Sequence, residues 1–420
     1  MFPPQVSGGD GSTDWFYMST QFNTGDSAWL MVSTAMVLLM TPGLAFFYGG
    51  MVRSKNMLSM LYMNFICISL VTILWFLYGY GIAFGDDVGG AGIIGWGDWR
   101  LGNIGPDALQ GQIPEQIYAC FQLTFAIITV ALISGSIAGR TRFGPWILFV
   151  IVWVTLVYLP IAHWVFADTG WLSKWGVMDF AGGLVVELNS GISGLAMALA
   201  LGPGVAFRRG EGPRPGNIPF VLLGLGLLWF GWFGFNAGSA LSDGALATRA
   251  FVSTMIAGCS GMLTWRAVEW LRSRRLTRLG SSSGALAGLV AITPSCAFVS
   301  VEGAFFIGVV AAVVCTYAVE LKLVAGYDDT LDVVGIHGAG GIVGVVSLGF
   351  LATGWERGSA GLFYGGSPSV LGKQVVAVLA VGLYAFVVTF VIGKIIDRLF
   401  RMRMTEEEQA QGMDAAFADD

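Results

Sequence analysis

Eleven long apolar runs, separated by short polar or glycine- and proline-rich connections, make up most of the chain. They lie at approximately 27–49, 59–84, 115–139, 145–166, 179–202, 217–240, 250–271, 283–299, 303–323, 331–353 and 374–399. A helix needs roughly 20 apolar residues to cross a hydrocarbon core about 30 Å thick. The pattern therefore predicts an all-α integral membrane fold of eleven transmembrane helices. The eighth run is short, and its Thr293–Pro294 pair predicts a break or kink, because proline removes a helix donor and clashes with the preceding turn. Residues 1–26 read as a short extracytoplasmic segment, 27–400 as the membrane domain and 401–420 as a cytoplasmic tail.

Composition agrees. The chain is 55% hydrophobic and 12% charged, against about 25% charged in soluble domains, and its mean hydropathy is +0.71. That excludes reading 420 residues as two or three soluble domains. All five cysteines (Cys67, Cys120, Cys259, Cys296, Cys315) fall within the runs, with no spacing that suggests a metal site or disulfide framework, so they read as small packing residues. Cytoplasmic loops are enriched in Lys and Arg. With the N-terminus outside, 17 of the 22 basic residues lie on the inner side and only Arg100, Lys174, Arg249, Arg357 and Lys373 on the outer; this predicts N-out, C-in. The first 25 residues carry no positive charge and lack the basic start of a signal peptide. The basic runs 208–214 and 272–278 read as topology determinants, with no sign of a nucleic-acid partner.

An internal repeat points to the chemistry. DFAGGLVVELNSGISG from Asp179 parallels DTLDVVGIHGAGGIVG from Asp329. Both open on aspartate, carry a titratable residue eight positions later (Glu187, His337) and end Gly-Ile-x-Gly. The copies begin runs five and ten, so runs 1–5 and 6–10 form an inverted repeat, with run eleven outside it. Eight residues of helix advance roughly 12 Å. Glu187 and His337 are then expected near the membrane midplane, reached from opposite sides and facing each other across a central path. Ionisable groups in a bilayer mark ion or proton pathways. The other histidine, His163, reads as an interfacial packing residue. Sixty-one glycines, some paired as Gly182–Gly183 and Gly340–Gly341, allow close helix packing. Phe121 and Phe125 in run three, and Trp232, Phe235 and Ser239 in run six, are expected near the outer ends; alone, such aromatics are more often an interfacial belt than a site, but a ring face can hold a small cation and the Ser239 hydroxyl can accept a hydrogen bond from one. The sequence has no phosphate loop, metal cluster or nucleophile–base constellation, so neither an enzyme nor a cofactor is expected.

These residues match a known pattern. PGLAFFYGGMVRSKNMLSM, FQLTFAIITVALISGSIAGR, DFAGG, GWFGFNAGSA, SSSGALAGLVAITP and DVVGIHGAGGIVG together resemble the ammonium transporter (Amt/Mep/Rh) family over essentially the whole chain. The resemblance implies ammonium as substrate, a homotrimer with one pore per subunit, and residence in the cell membrane. It implies an outer recruitment site of Phe125, Phe166 and Ser239, a phenylalanine gate of Phe121 and Phe125, pore wall at Trp232 and Phe235, and structural acids at Asp179 and Asp329. There are two departures. The family's midplane pair is usually two histidines, and Glu187 stands at the first, as an acid does in some fungal members. The outer-site aromatic is typically tryptophan and here is Phe166, a weaker cation-binding face; Trp164 lies two positions earlier and does not share its helix face. The EEE-QG-MD stretch of the tail resembles the family's cytoplasmic C-terminus, though its final residues depart from the usual ending; the resemblance implies either a PII-type nitrogen-signalling partner or a tail that only packs against the neighbouring subunit. The alternative is an ammonium sensor with little conduction; such proteins usually carry an output domain, for which the roughly 20 residues after run eleven leave no room.

Overall fold

The computed structural model describes residues 22–97, 99–102, 104–105, 107–211, 214–274, 276–354 and 359–417. The predicted N-terminal segment 1–26 lies mostly outside the described residues, as do Arg275, Arg357 and the last three residues of the tail.

Each apolar run contains helix. The helices are α1 Thr24–Met51, α2 Ser54–Phe84, α3 Glu115–Ile137, α4 Phe143–Trp175, α5 Gly183–Leu201, α6 Ile218–Gly238, α7 Ala245–Ser273, α8 Arg278–Ile292, α9 Val301–Ala325, α10 Val334–Leu351 and α11 Pro368–Phe400. Among the described residues, ten are long and apolar enough to cross a membrane; α8 is the short exception. It ends at Ile292 rather than 299, and the chain turns at Thr293–Pro294, where the proline interrupts the backbone ladder. α4 is interrupted after Phe166 and closes with the short helix Trp171–Trp175.

Close packing relies on bare backbone. A side chain at Gly224 of α6 would collide with Phe47 of α1, and one at Gly261 of α7 with Gly284 and Gly288 of α8. Such small-residue seams let helices approach where lipid offers no hydrophobic drive for association. Two buried indoles inside the bundle are paired with polar neighbours: Trp153 Nε1 donates to Ser193 and Thr389, and Trp146 Nε1 to the Met63 carbonyl. His163 is fully buried within the bundle and hydrogen-bonded. Its Nδ1 bonds the Ala83 carbonyl at 3.0 Å and its Nε2 lies 3.6 Å from Asp87, tying the end of α4 to the segment after α2. Cys67, Cys296 and Cys315 are buried, whereas Cys120 and Cys259 are exposed on the bundle surface, so two of the five do not pack inside.

The connections segregate onto two faces. On one, the tail docks on the loops after α1, α3 and α5: Lys55 Nζ donates to the Gln409 carbonyl, Arg142 holds Glu408 (2.6 Å), Arg208 pairs with Glu406, and Asp414 accepts from Ser59. On the other, the segment before α1 meets those before α3 and after α6, through Asn23 N to Gln112 O and Asp243 N to Asp26. The first face is the one that the basic residues mark as cytoplasmic.

Candidate functional site

The two copies of the internal repeat start their helices in the same unusual way. Gly182 has φ of 114°, a left-handed conformation that favours glycine, and it turns the chain into α5. The Asp179 carboxylate caps that turn, accepting from the backbone N–H groups of Gly182, Gly183 and Leu184 at 2.6–2.9 Å. Asp329 does the same for α10 through Val334 N at 2.8 Å. Both helices then open with a wide π-turn, Gly183–Leu188 and Val334–Gly338, of the sort often found at functional sites. Helix therefore begins four or five residues after each aspartate, and the expected eight-residue helical descent does not occur. Glu187 and His337 sit in the π-turns themselves.

They meet there. His337 Nδ1 and Glu187 Oε2 are 2.7 Å apart, and both side chains are buried. The contact is made possible by reciprocal backbone approaches. A side chain at Gly191 would overlap Gly338, and one at Gly341 would press on Leu188; the repeat equates 191 with 341 and 188 with 338. Gly194 likewise abuts Ser136 at the break of α3, and its counterpart Gly344 abuts Pro294 at the break after α8. Phe180 N donates to Pro294 O (3.0 Å) and its counterpart Thr330 N to Ser136 O (3.4 Å). Within the two copies the equivalent positions stand 150 residues apart, and the breaks they meet at Ser136 and Pro294 correspond by place in the fold, so the repeat is a spatial pseudo-twofold with the Glu187–His337 pair at its centre.

The pair faces a chamber also lined by Tyr48, Trp232, Phe235 and Asp332. Trp232 is held by its indole N–H, which donates to the Thr293 hydroxyl at 3.0 Å; that hydroxyl in turn donates to the Leu289 carbonyl. An outer vestibule is lined by Phe125, Phe166, Ser239 and Asp179. Between vestibule and chamber stands an aromatic stack: Phe125 lies 4.2 Å from Phe235, nearly parallel, and 4.9 Å edge-on from Phe121. Phe166 is a further edge contact of Phe125 at 6.4 Å. Trp164 turns away, donating to the Ile93 carbonyl and packing on Tyr384. Ser239 donates to the Phe235 carbonyl, which leaves its oxygen lone pairs for a donor in the vestibule. On the other side, an inner vestibule shares Met51 and Leu331 with the chamber and reaches Arg53, Lys322 and Gln409.

Sequence reasoning passed over Tyr48, Tyr118, Gln122 and Asp332, all of which line these cavities. Asp332 alone carried a signal: it lies three residues after Asp329 and within reach of the basic end of α9, where Lys322 Nζ now holds it at 2.5 Å. Among the described residues there is no cluster of His, Cys, Asp and Glu that could hold a metal.

A sequence model of the Ammonium Transporter Family matches residues 28–420. The chain is 46% identical to the ammonium transporter of Mycobacterium tuberculosis strain H37Rv, over 93% of this chain and 88% of that protein. Its fold is similar to the crystal structure of Saccharomyces cerevisiae Mep2 (TM-score 0.87, 34% identity, 96% of this chain and 91% of that one). It is also similar to a solved structure described as "Sensor Amt Protein" (TM-score 0.87, 26% identity, 97% of this chain and all of that one).

Proposed function

Because the chain belongs to the ammonium transporter family, a family of multi-pass membrane transporters rather than enzymes, we propose that it moves ammonium as NH3 plus a separately carried proton. NH4+ is recruited against the rings of Phe125 and Phe166 and the oxygen of Ser239. The Phe121–Phe125 pair gates its entry, and the Glu187–His337 pair relays the proton while NH3 passes the wall formed by Trp232 and Phe235. Asp179 and Asp329 serve the relay indirectly, by capping the helices that carry it.

The observation that carries this reading is the 2.7 Å Glu187–His337 contact, buried and facing the chamber. A bare cation entering low dielectric meets an idealised Born cost of order 20 kcal/mol, and several kcal/mol after relaxation. Deprotonating an amine of pKa roughly 8–10 costs about 1.4–4 kcal/mol at pH 7. Deprotonation is the smaller cost, and potassium and sodium cannot follow it. Selectivity then requires an acceptor for the proton. A hydrogen-bonded carboxylate and imidazole titrate as one unit, and this pair alternates between net charge −1 and 0. The carboxylate state tolerates a cation better than two neutral imidazoles do, so the pH dependence differs from that of twin-histidine relatives and potassium exclusion is poorer.

The test is ammonium-evoked current in proteoliposomes, with potassium as control. Current that Glu187→Ala abolishes supports the reading; unchanged current in that variant rejects it. The similarity to the "Sensor Amt Protein" structure favours a second reading, an ammonium sensor with little conduction that signals through the cytoplasmic face; ammonium binding without sustained current would select it. The homotrimer implied by the family resemblance is checked by light scattering in detergent. A PII-type partner on the tail-bearing face is checked by co-purification with and without residues 401–420.

A further inference from the structure

The outer vestibule contains an acceptor that the recruitment site above does not use. Tyr118, Gln122 and Phe125 sit at i, i+4 and i+7 of α3, one stripe of the helix, and all three line the vestibule with Phe166 and Ser239. The Gln122 side chain is 8% exposed. Its Oε1 is nevertheless buried without a hydrogen-bond partner among the described residues. Buried polar atoms are nearly always satisfied, and an exception in a native cavity calls for an explanation such as an absent ligand. A carbonyl oxygen needs a donor. Ser239 offers none, since its hydroxyl proton is committed to the Phe235 carbonyl; the Tyr118 hydroxyl in the same vestibule makes no hydrogen bond to Oε1, and the rings of Phe125 and Phe166 carry no O–H or N–H donor.

We infer that Gln122 Oε1 is a second hydrogen-bond acceptor for the incoming ammonium ion and a specificity-determining residue of the outer vestibule. The inference rests on the ammonium reading above and deepens it. NH4+ carries four N–H donors in a tetrahedron. Oxygen acceptors on two helices, Gln122 on α3 and Ser239 on α6, together with the Phe125 face, engage three of its vertices. Methylammonium keeps three N–H donors and can satisfy all three, whereas trimethylammonium keeps only one and must leave at least one of the two oxygens unpaired. A site that hydrogen-bonds its substrate rejects analogues lacking a donor more strongly than an apolar pocket does. Gln122 therefore separates ammonium from trimethylammonium, a task in which ring faces alone discriminate little.

The test uses purified protein in proteoliposomes on a capacitive membrane support, which records the transient charge displacement of ion binding as well as sustained current. Gln122→Leu and Gln122→Met keep the volume and delete the acceptor; Gln122→Glu restores oxygen at the same reach. Both apolar variants are expected to raise the half-saturating ammonium concentration about tenfold, equivalent to about 1.4 kcal/mol. Maximal current should stay within about twofold, and the preference for ammonium over trimethylammonium, read from their competition for the binding transient, should shrink by a similar factor. Gln122→Glu is expected to return the half-saturating concentration to the wild-type value or below. An unchanged half-saturating concentration in both apolar variants overturns the inference. So does equal impairment by Leu, Met and Glu, which would mark Gln122 as a packing residue. A wild-type protein with Gln122-dependent binding transients and no sustained current removes the transport reading and leaves this inference standing.

Discussion

Gly191→Ala should disable the pair without touching either of its members. A methyl group at 191 falls inside van der Waals contact with the backbone of Gly338 and 2.9 Å from the carbonyl carbon of His337. To restore ordinary contact, the π-turn carrying His337 and the helix carrying Glu187 must part by at least about 1 Å. Starting from 2.7 Å, that carries the Glu187–His337 contact beyond about 3.5 Å, where it no longer counts as a hydrogen bond. Overpacking of this sort costs about 1–3 kcal/mol, more than the roughly 0.5–1 kcal/mol by which alanine is favoured over glycine within a helix. The pseudo-twofold supplies the control. At Gly341, the equivalent position, the added methyl meets Leu188 N at 2.9 Å and Glu187 Cβ at 3.2 Å. A shift of about 0.5 Å suffices there and leaves the pair near 3.2 Å, still bonded. Ammonium-evoked current per correctly folded protein, quantified by size exclusion, should fall tenfold or more in Gly191→Ala and by less than about threefold in Gly341→Ala. Equal losses, or a larger loss at Gly341, would refute the reasoning.

Three further outcomes follow from the same structure. Thr293→Val strips the acceptor from the Trp232 indole and leaves a buried N–H unpaired, at a cost of about 1–3 kcal/mol; thermal unfolding should shift downward, and Thr293→Ser should restore it. Phe125→Ala removes the ring stacked 4.2 Å from Phe235 and joins vestibule to chamber, so potassium flux into proteoliposomes should rise above the wild-type leak. On the tail, Arg208 bonded to Glu406 holds that carboxyl below the usual carboxylate range. A depressed folded-state pKa contributes stability above the unfolded pKa and loses it as pH falls through the folded value. The protection factors of residues 405–417, which divide out the pH dependence of intrinsic exchange, should therefore stay constant between about pH 5 and 8 and fall only in more acidic buffer.

Much of this was legible in the chain. Among the described residues, the apolar runs located the ten helices long enough to cross a membrane and the shorter α8, because lipid forces each span to satisfy its backbone internally. The repeat led to Glu187 and His337 because a pseudo-twofold leaves equal spacing in both copies. Local backbone was not legible. A sequence period carries no sign that Gly182 turns left-handed or that the helices open with π-turns, so the starts of α5 and α10 were placed too early. The end of α8 was placed too late although Pro294 marked it, because the apolar run continues past the break. Gln122 was missed because a lone amide beside aromatics has no pattern; only its orphaned oxygen in a shared cavity sets it apart. The docking of the tail joins residues more than 190 positions apart, a distance at which periodicity says nothing.

The central claim is that the buried Glu187–His337 pair carries the proton that accompanies each ammonia molecule. It is tested most directly by recording current and 15N-labelled ammonium uptake in the same proteoliposomes, for wild type and Glu187→Gln, which keeps the size and removes the charge. The account predicts one charge per nitrogen in the wild type and, in the variant, a loss of current at least several times greater than the loss of labelled uptake. Undiminished current in Glu187→Gln, with the charge-to-nitrogen ratio still one, would contradict it.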